Sequence, residues 1–178
     1  DDLIITGRNS DGLMALMRGT GSGTFGPAEF IEFEAQTDWG VAGDFDGDGH
    51  LDVALAVRAT PGFATILYGD GTGAFPDRQD YLAGRLPSAI IAADFDEDGW
   101  DDLAVTNYLS GSITVLRNTM TGFIETQTVQ LDLVFGGGSR PISIEAADFD
   151  GDGDLDLVVS QLSTGRISFA FNERGFFG

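Results

Sequence analysis

An acidic nine-residue motif that recurs at a fixed period is the feature that most constrains the fold of this chain. The motif has the pattern D-x-D-x-D-G-x-x-D and begins at Asp44, Asp94 and Asp148. Asp2 fits the last position of a fourth copy, because it precedes an apolar run in the same way as the other last residues. These last residues, Asp2, Asp52, Asp102 and Asp156, are spaced by 50, 50 and 54 residues. A period of about 50 residues with β-strand character is typical of propeller blades.

A second landmark keeps the same period. Each repeat contains a glycine turn followed by a phenylalanine, and these phenylalanines lie 23, 23, 21 and 20 residues after the last aspartate of their motifs. The four residues are Phe25, Phe75, Phe123 and Phe176. We therefore predict about three and a half repeats: an incomplete first repeat at 1–38, complete repeats at 39–88 and 89–142, and an incomplete fourth at 143–178.

The pattern of apolar residues predicts an all-β fold. Val53, Leu55 and Val57 alternate with small residues after the first motif, as in a strand that is buried on both faces. We predict four antiparallel strands in each repeat. The first precedes the motif, the second follows it, the third ends at Tyr68, Arg117 or Phe171, and the fourth lies near residues 30–33, 81–83 or 129–133. Small residues directly before each motif suit the crowded innermost strand of a propeller blade.

The acidic motifs have the chemistry of calcium sites. Calcium takes six to eight oxygen ligands, and the motif offers carboxylates at positions 1, 3, 5 and 9 and a backbone carbonyl at position 7. Glycine at position 6, which is Gly49, Gly99 or Gly153, permits the sharp turn that this geometry needs. The residue at position 7 varies between repeats, which suits a ligand that acts through its backbone alone.

An EF-hand, a magnesium site and a plain acidic turn each fit the motif less well. An EF-hand needs a glutamate at position 12 and flanking helices, whereas position 12 here is Leu55, Val105 or Val159 inside a predicted strand. Magnesium prefers fewer protein ligands, and transition metals favour histidine and cysteine, which are nearly absent. Aspartates also form turns and solubilise surfaces. Three copies that keep all four acidic positions at a fixed period argue against that interpretation.

With its D-F-D-G-D-G-x-x-D loops and downstream glycine–phenylalanine turns, the chain resembles FG-GAP or VCBS repeats over nearly its whole length. The resemblance implies a seven-bladed β-propeller, of which this chain would be a part, with calcium-binding hairpin loops. It also implies three structural calcium ions, each held by four carboxylates and the position 7 carbonyl. The implied ligands are Asp44, Asp46, Asp48, His50 and Asp52 in the first site, Asp94, Asp96, Asp98, Trp100 and Asp102 in the second, and Asp148, Asp150, Asp152, Asp154 and Asp156 in the third.

The composition disfavours several functional classes. The 178 residues include 29 acidic and 9 basic ones, and the net charge of −20 repels phosphate backbones, so we predict no nucleic-acid partner. No apolar run reaches the roughly 18 residues of a membrane span, so we predict no membrane insertion. Cysteine is absent, and the only histidine, His50, lies inside a predicted calcium loop. The residues thus offer no catalytic triad, and we predict that the chain is not an enzyme.

We expect an extracellular or cell-surface module for adhesion or for recognition of a carbohydrate or protein ligand. Aromatic residues near predicted strand ends are the best indication of a ligand, although packing between blades explains each of them as well; they are Trp39, Trp100, Tyr68, Tyr81 and Tyr108. The alternative is a structural or accessory propeller of a secreted carbohydrate-active enzyme, or a self-assembling surface filament. The remaining blades would come from a longer chain or from other subunits.

Overall fold

The computed structural model describes residues 2–7, 12–32, 35–131 and 138–178, and every regular element in these residues is a β-strand. Within them there is accordingly no helix that is long and apolar enough to span a membrane. The fourteen strands are β1 (Leu3–Thr6), β2 (Leu13–Gly19), β3 (Phe25–Glu32), β4 (Gln36–Gly43), β5 (Asp52–Arg58), β6 (Gly62–Tyr68), β7 (Asp77–Ala83), β8 (Pro87–Ala93), β9 (Asp102–Asn107), β10 (Ser112–Asn118), β11 (Phe123–Gln130), β12 (Pro141–Ala147), β13 (Asp156–Gln161) and β14 (Arg166–Ala170).

The strands form four antiparallel sheets in which each strand pairs with the next along the chain. Sheet 1 is β1–β3, sheet 2 is β4–β7, sheet 3 is β8–β11 and sheet 4 is β12–β14. The prediction of an all-β fold with four-stranded antiparallel units is therefore confirmed for sheets 2 and 3. Residues 33, 132 and 133 of the predicted fourth strands lie outside the described residues.

The first strands of sheets 2, 3 and 4 begin at Gln36, Pro87 and Pro141, two or three residues before the predicted repeat limits at 39, 89 and 143. Each of those limits thus falls inside a first strand. The limits themselves stay a prediction.

Apolar layers between consecutive sheets form the core. Strand β5 is buried on both faces: Leu55 packs towards Met14 of sheet 1, and Ala54 packs towards Leu103 of sheet 3. Another apolar layer, which includes Val115, lies between sheets 3 and 4. This arrangement explains why every residue of β9, and every residue of β5 but the last, is buried, since each inner sheet has a neighbour on either side.

Consecutive sheets approach each other most closely through their first strands. Strand β4 packs against β8 and β8 against β12, whereas the last strands β7 and β11 approach at few positions. A small residue on a first strand also allows close approach to the neighbouring sheet: a Cβ atom added to Gly40 of β4 would lie 3.4 Å from the Thr6 side chain of β1, in sheet 1. The first strands thus bring the three acidic motifs, which directly follow them, to the same end of successive sheets.

Candidate metal centres

Each acidic motif forms the turn between the first and second strands of its sheet. Residues 44–51 join β4 to β5, residues 94–101 join β8 to β9, and residues 148–155 join β12 to β13. Position 9 is the first residue of the second strand in all three cases. The motifs therefore lie on β-hairpins, in agreement with the exclusion of an EF-hand.

The aspartate at position 9 ties its loop to the rest of the sheet. Asp52 is fully buried, and its Oδ2 accepts a hydrogen bond of 2.8 Å from the backbone N–H of Phe45 at position 2. Its Oδ1 accepts another of 2.8 Å from the N–H of Gly69, just beyond the third strand. Asp102 and Asp156 make the same two bonds at 2.8 to 3.2 Å. Sequence reasoning gave this residue a metal role alone and missed its structural one.

The first sheet has one of the same hydrogen bonds, between an aspartate before one strand and the end of the next strand. Asp2 precedes β1, and its Oδ1 accepts a hydrogen bond of 2.8 Å from the N–H of Gly19, at the end of β2. Gly19 thus matches Gly69 of sheet 2. This contact supports the placement of Asp2 at the last position of a motif.

The remaining aspartates fold the loop around their own oxygens. In the first loop, Asp44 accepts hydrogen bonds from the N–H groups of Gly47 at 2.8 Å and Gly49 at 3.0 Å. Asp46 Oδ1 accepts a hydrogen bond of 3.1 Å from the N–H of Asp48. Asp48 Oδ1 in turn accepts one of 2.8 Å from the N–H of the residue at position 7. The turn is therefore closed by carboxylates, which gathers negative charge at one end of the hairpin.

Both position 4 and position 6 of each loop have left-handed backbone conformation. The φ angles at position 6 are +87°, +92° and +104°, as the glycines there predicted. At position 4 they are +77° for Gly47, +84° for Gly151 and +60° for Glu97, which is not a glycine. The glycines at position 4 of the first and third motifs are thus a second sequence signal of this backbone.

The fold brings three carboxylates together in each loop. Their oxygens lie within 4.8 Å of one another, which is close enough for all three to contact one metal ion. The groups are Asp44, Asp46 and Asp48, then Asp94, Asp96 and Asp102, and then Asp148, Asp150 and Asp156. The fourth predicted carboxylates, those of Asp52, Asp98 and Asp152, are not part of these groups. The clusters could hold a metal ion, and their all-oxygen donors suit a hard cation.

Comparison with models of known protein families shows the family of this chain. A model of FG-GAP-like repeats matches residues 1–55, 44–105 and 94–159, so that successive matches overlap at the acidic motifs. The chain belongs to the FG-GAP-like repeat family. The resemblance inferred from the D-F-D-G-D-G loops is thereby confirmed.

The FG-GAP-like chain is also similar to a solved structure, that of a Tc holotoxin pore from Photorhabdus luminescens. The alignment has a TM-score of 0.50 at 18% sequence identity and covers 94% of this chain. This chain spans only 8% of the length of the toxin chain that it matches. The likeness therefore concerns the fold alone. No curated protein sequence matches the chain significantly.

Burial raises the affinity of two position 9 carboxylates of the FG-GAP-like loops for protons. Desolvation raises the pKa of Asp102 to about 7, against the backbone hydrogen bond from Asn118, and the nearby charge of Asp96 adds to the rise. Desolvation also raises the pKa of Asp52, against the hydrogen bonds from Gly69 and Phe45. A divalent cation in the loop would offset this cost by supplying the opposite charge.

The second FG-GAP-like loop differs from the others because an arginine enters it. The Arg117 guanidinium forms an ion pair through Nε with Asp96 Oδ2, and its Nη2 lies 3.4 Å from Asp98 Oδ2. The Asp96 side chain is only 9% exposed. The attraction of Asp96 is the main cause of a raised Arg117 pKa. Sequence reasoning placed Arg117 only as the end of a strand.

The residues at position 7 have different surroundings. The N–H groups of His50, Trp100 and Asp154 each donate to the position 5 carboxylate of their loop at 2.8 to 3.0 Å. The Trp100 ring lies against Gly47 of the preceding loop, where an added Cβ atom would come within 2.4 Å of it. The Trp100 ring thus packs between loops, and the metal role of the three carbonyls stays a prediction.

The remaining aromatic candidates lie in three different surroundings. Tyr68 and Tyr81 pack against the apolar layer between sheets 2 and 3. Tyr108 lies between the guanidinium groups of Arg58 and Arg140, at 5.4 and 5.6 Å from its ring centre. Trp39 is 47% exposed on β4. Among the five aromatic candidates, Trp39 is the one that is exposed, whereas the other four are half-buried.

Proposed function

We propose that this chain is a calcium-binding β-propeller segment that serves as an extracellular recognition module and not as an enzyme. The observation that carries the proposal is the recurrence of one carboxylate cluster at the same place in three successive sheets. The ions are structural in this proposal, since each cluster lies at the turn that joins the first two strands of its sheet.

Calcium is the proposed ion because of the donors and their charge. Each cluster offers three carboxylates on a loop whose backbone is already folded, and calcium accepts such oxygen ligands in flexible geometry. Three divalent ions would bring the net charge of −20 to −14. The FG-GAP-like family supports this choice, because its repeats often bind calcium at such loops.

The four sheets are proposed to be consecutive blades around a propeller axis. The first strands β4, β8 and β12 pack against one another, and the sheets diverge towards their last strands. Apolar layers join each sheet to the next, as blades require. Sheets 2 and 3 are the complete blades, and a seven-bladed ring would need further blades from a longer chain or from other subunits.

An extracellular location fits the proposed chemistry. Calcium sites in extracellular modules bind with dissociation constants of about 10⁻⁴ to 10⁻³ M, which suffices only where calcium is abundant. Exposed aromatic surface at Trp39 is the proposed place for a carbohydrate or protein ligand. A glycan array with the calcium-loaded chain and its W39A variant tests this part: signals that W39A abolishes support recognition, and equal signals from both contradict a role of Trp39.

Calcium counting by isothermal titration calorimetry tests the metal sites. The wild-type chain is expected to bind three ions, and D46A, D96A and D150A are each expected to bind two. The control is D77A, which removes the same charge from an exposed position at the start of β7, outside the loops. Circular dichroism checks that each variant keeps its strands. A wild-type chain that binds no calcium at millimolar concentration would overturn the proposal, as would D46A retaining three ions.

A further inference from the structure

At the end of each third strand, one backbone N–H donates a hydrogen bond to the position 9 carboxylate, and the residue directly before that donor differs among the three sheets. The N–H groups of Gly69, Asn118 and Asn172 donate to the position 9 carboxylates of their own sheets. The residues directly before them are Tyr68, Arg117 and Phe171, which therefore occupy equivalent places beside the three acidic loops. Of these three residues, only Arg117, beside the second loop, has a positively charged side chain.

The Arg117 guanidinium reaches the two carboxylates at positions 3 and 5. Its Nε pairs with Asp96 Oδ2, and its Nη2 contacts Asp98 Oδ2 at 3.4 Å. Asp96 belongs to the cluster that would hold the ion, whereas Asp98 does not, unlike its counterpart Asp48 in the first loop. The arginine thus contacts carboxylate oxygens at the two positions that, in the first loop, gather within reach of one metal ion.

The surroundings of Asp96 make a counter-ion necessary. Gly175, on a turn of sheet 4, lies so close that a Cβ atom added to it would be 2.8 Å from Asp96 Cβ. The Asp96 side chain is 9% exposed, while the equivalent Asp46 and Asp150 are exposed residues. A buried carboxylate is costly unless an opposite charge pairs with it. In the second loop, either the arginine or a metal ion can supply this charge.

We propose that Arg117 is an internal counter-ion of the second loop that competes with calcium for Asp96 and Asp98, so that this site binds calcium more weakly than the other two. This inference rests on the proposed calcium function. Calcium must either displace the guanidinium from Asp96 Oδ2 or bind the other oxygen of that carboxylate beside the positive charge, and both cost binding free energy. The first and third sites then fill at lower calcium concentration, and the second fills last.

Calorimetric titration of the whole chain with calcium tests the competition. The wild-type isotherm is expected to show two tighter sites and one weaker by about tenfold, which corresponds to about 1.4 kcal/mol of binding free energy. R117Y places in the third strand the residue that sheet 2 has there, and it is expected to bring the weak site into the range of the others. R117K keeps the charge and is expected to keep the weak site.

Two further variants make the test independent of the fold of sheet 3. F171R puts an arginine beside the third loop at a residue that is 44% exposed, and it is expected to weaken the calcium site of that third loop. R78Q removes the same charge as R117Y from a residue paired with Asp80 on β7, so its isotherm should match the wild type. That control separates local competition from the change in net charge.

The outcomes distinguish this inference from the proposed function. If the wild-type chain binds three ions with equal affinity, or if R117Y and F171R leave the affinities unchanged, Arg117 does not compete and the inference is wrong while the calcium sites stand. If R78Q tightens a site as much as R117Y does, the effect is one of net charge and the inference is again wrong. Absence of any calcium binding would contradict the proposed function itself.

Discussion

Two asparagines join the loops of neighbouring repeats through single side chains. Asn118 is fully buried, and its Nδ2 donates a hydrogen bond of 2.9 Å to the carbonyl of Phe45, which belongs to the loop of the preceding sheet. Its Oδ1 accepts from the N–H of Met120 at 3.0 Å. Asn172 makes the equivalent bond of 2.8 Å to the carbonyl of Phe95. Each asparagine therefore connects the end of a third strand to the acidic loop of the sheet before it.

Loss of the Asn118 side chain should destabilise the fold. N118A leaves the buried carbonyl of Phe45 without its donor, which costs about 1–3 kcal/mol, and it also removes the acceptor of the part-buried Met120 N–H. We expect its free energy of unfolding, measured by urea denaturation, to fall by about 2 kcal/mol or more. N118D keeps the acceptor and loses the donor, so it should be destabilised too. The control is T121A on the exposed part of the same turn, and equal stability of N118A and T121A would show that the bond contributes nothing.

The acidic loop is an element whose backbone depends on two left-handed positions. Position 6 is glycine in all three loops, and the sequence predicted its role. Position 4 is also left-handed, and Glu97 adopts this conformation at φ +60° although side chains disfavour it. Gly47 is required for a steric reason as well, because the Trp100 ring of the next loop packs directly on it and leaves no room for a side chain.

Alanine substitution at position 4 separates strain from packing. G151A introduces a Cβ atom with no neighbour within 4 Å, so it should lose only the cost of a left-handed residue, about 1–2 kcal/mol. G47A should lose more, because its Cβ atom also meets the Trp100 ring. E97G should gain stability, by less than about 1 kcal/mol. Urea denaturation in EDTA measures all three, and an equal loss for G47A and G151A would show that Trp100 does not constrain the first loop.

The elements were largely predictable because their signals are local and repeat. The alternation around Leu55 and the glycine turns predicted the strands and the hairpin position of the loops. Contacts between repeats were not predictable in this way: Asn118 and Phe45 are 73 residues apart, and nothing in the period indicates that they meet. The contact of Arg117 with Asp96 was not predictable either, because it forms only when the third strand lies beside the second loop.

In the molecule as a whole, sheet 4 presents an apolar face that no described sheet covers. Ile167 and Phe169 are 65% and 49% exposed, whereas their counterparts in sheet 3, Ile113 and Val115, are buried against sheet 4. Phe149 at position 2 of the third loop is likewise 44% exposed, in contrast to Phe95 in the second loop. The same positions that join sheets 2, 3 and 4 are thus exposed at the last one.

This face should make the isolated chain associate. Exposed apolar patches of this kind mark contact surfaces, so light scattering in calcium should show species larger than the 18.8 kDa monomer. The double variant I167T/F169T should raise the monomer fraction, while R166Q, next to the patch, should leave it unchanged. A stable wild-type monomer at all concentrations would contradict this expectation.

Calcium at the three acidic loops should stabilise the fold, and thermal unfolding in calcium and in EDTA measures this stabilisation. If the first and third sites bind at about 10⁻⁴ M, then about 1 mM calcium adds about 1.4 kcal/mol for each of them to the free energy of unfolding, and less for the weaker second site. We expect a sharply higher melting temperature in calcium than in EDTA, a much smaller shift with magnesium, and loss of the calcium shift in D46A/D96A/D150A. A wild-type melting temperature that is the same in calcium and in EDTA would show that the loops bind no stabilising ion.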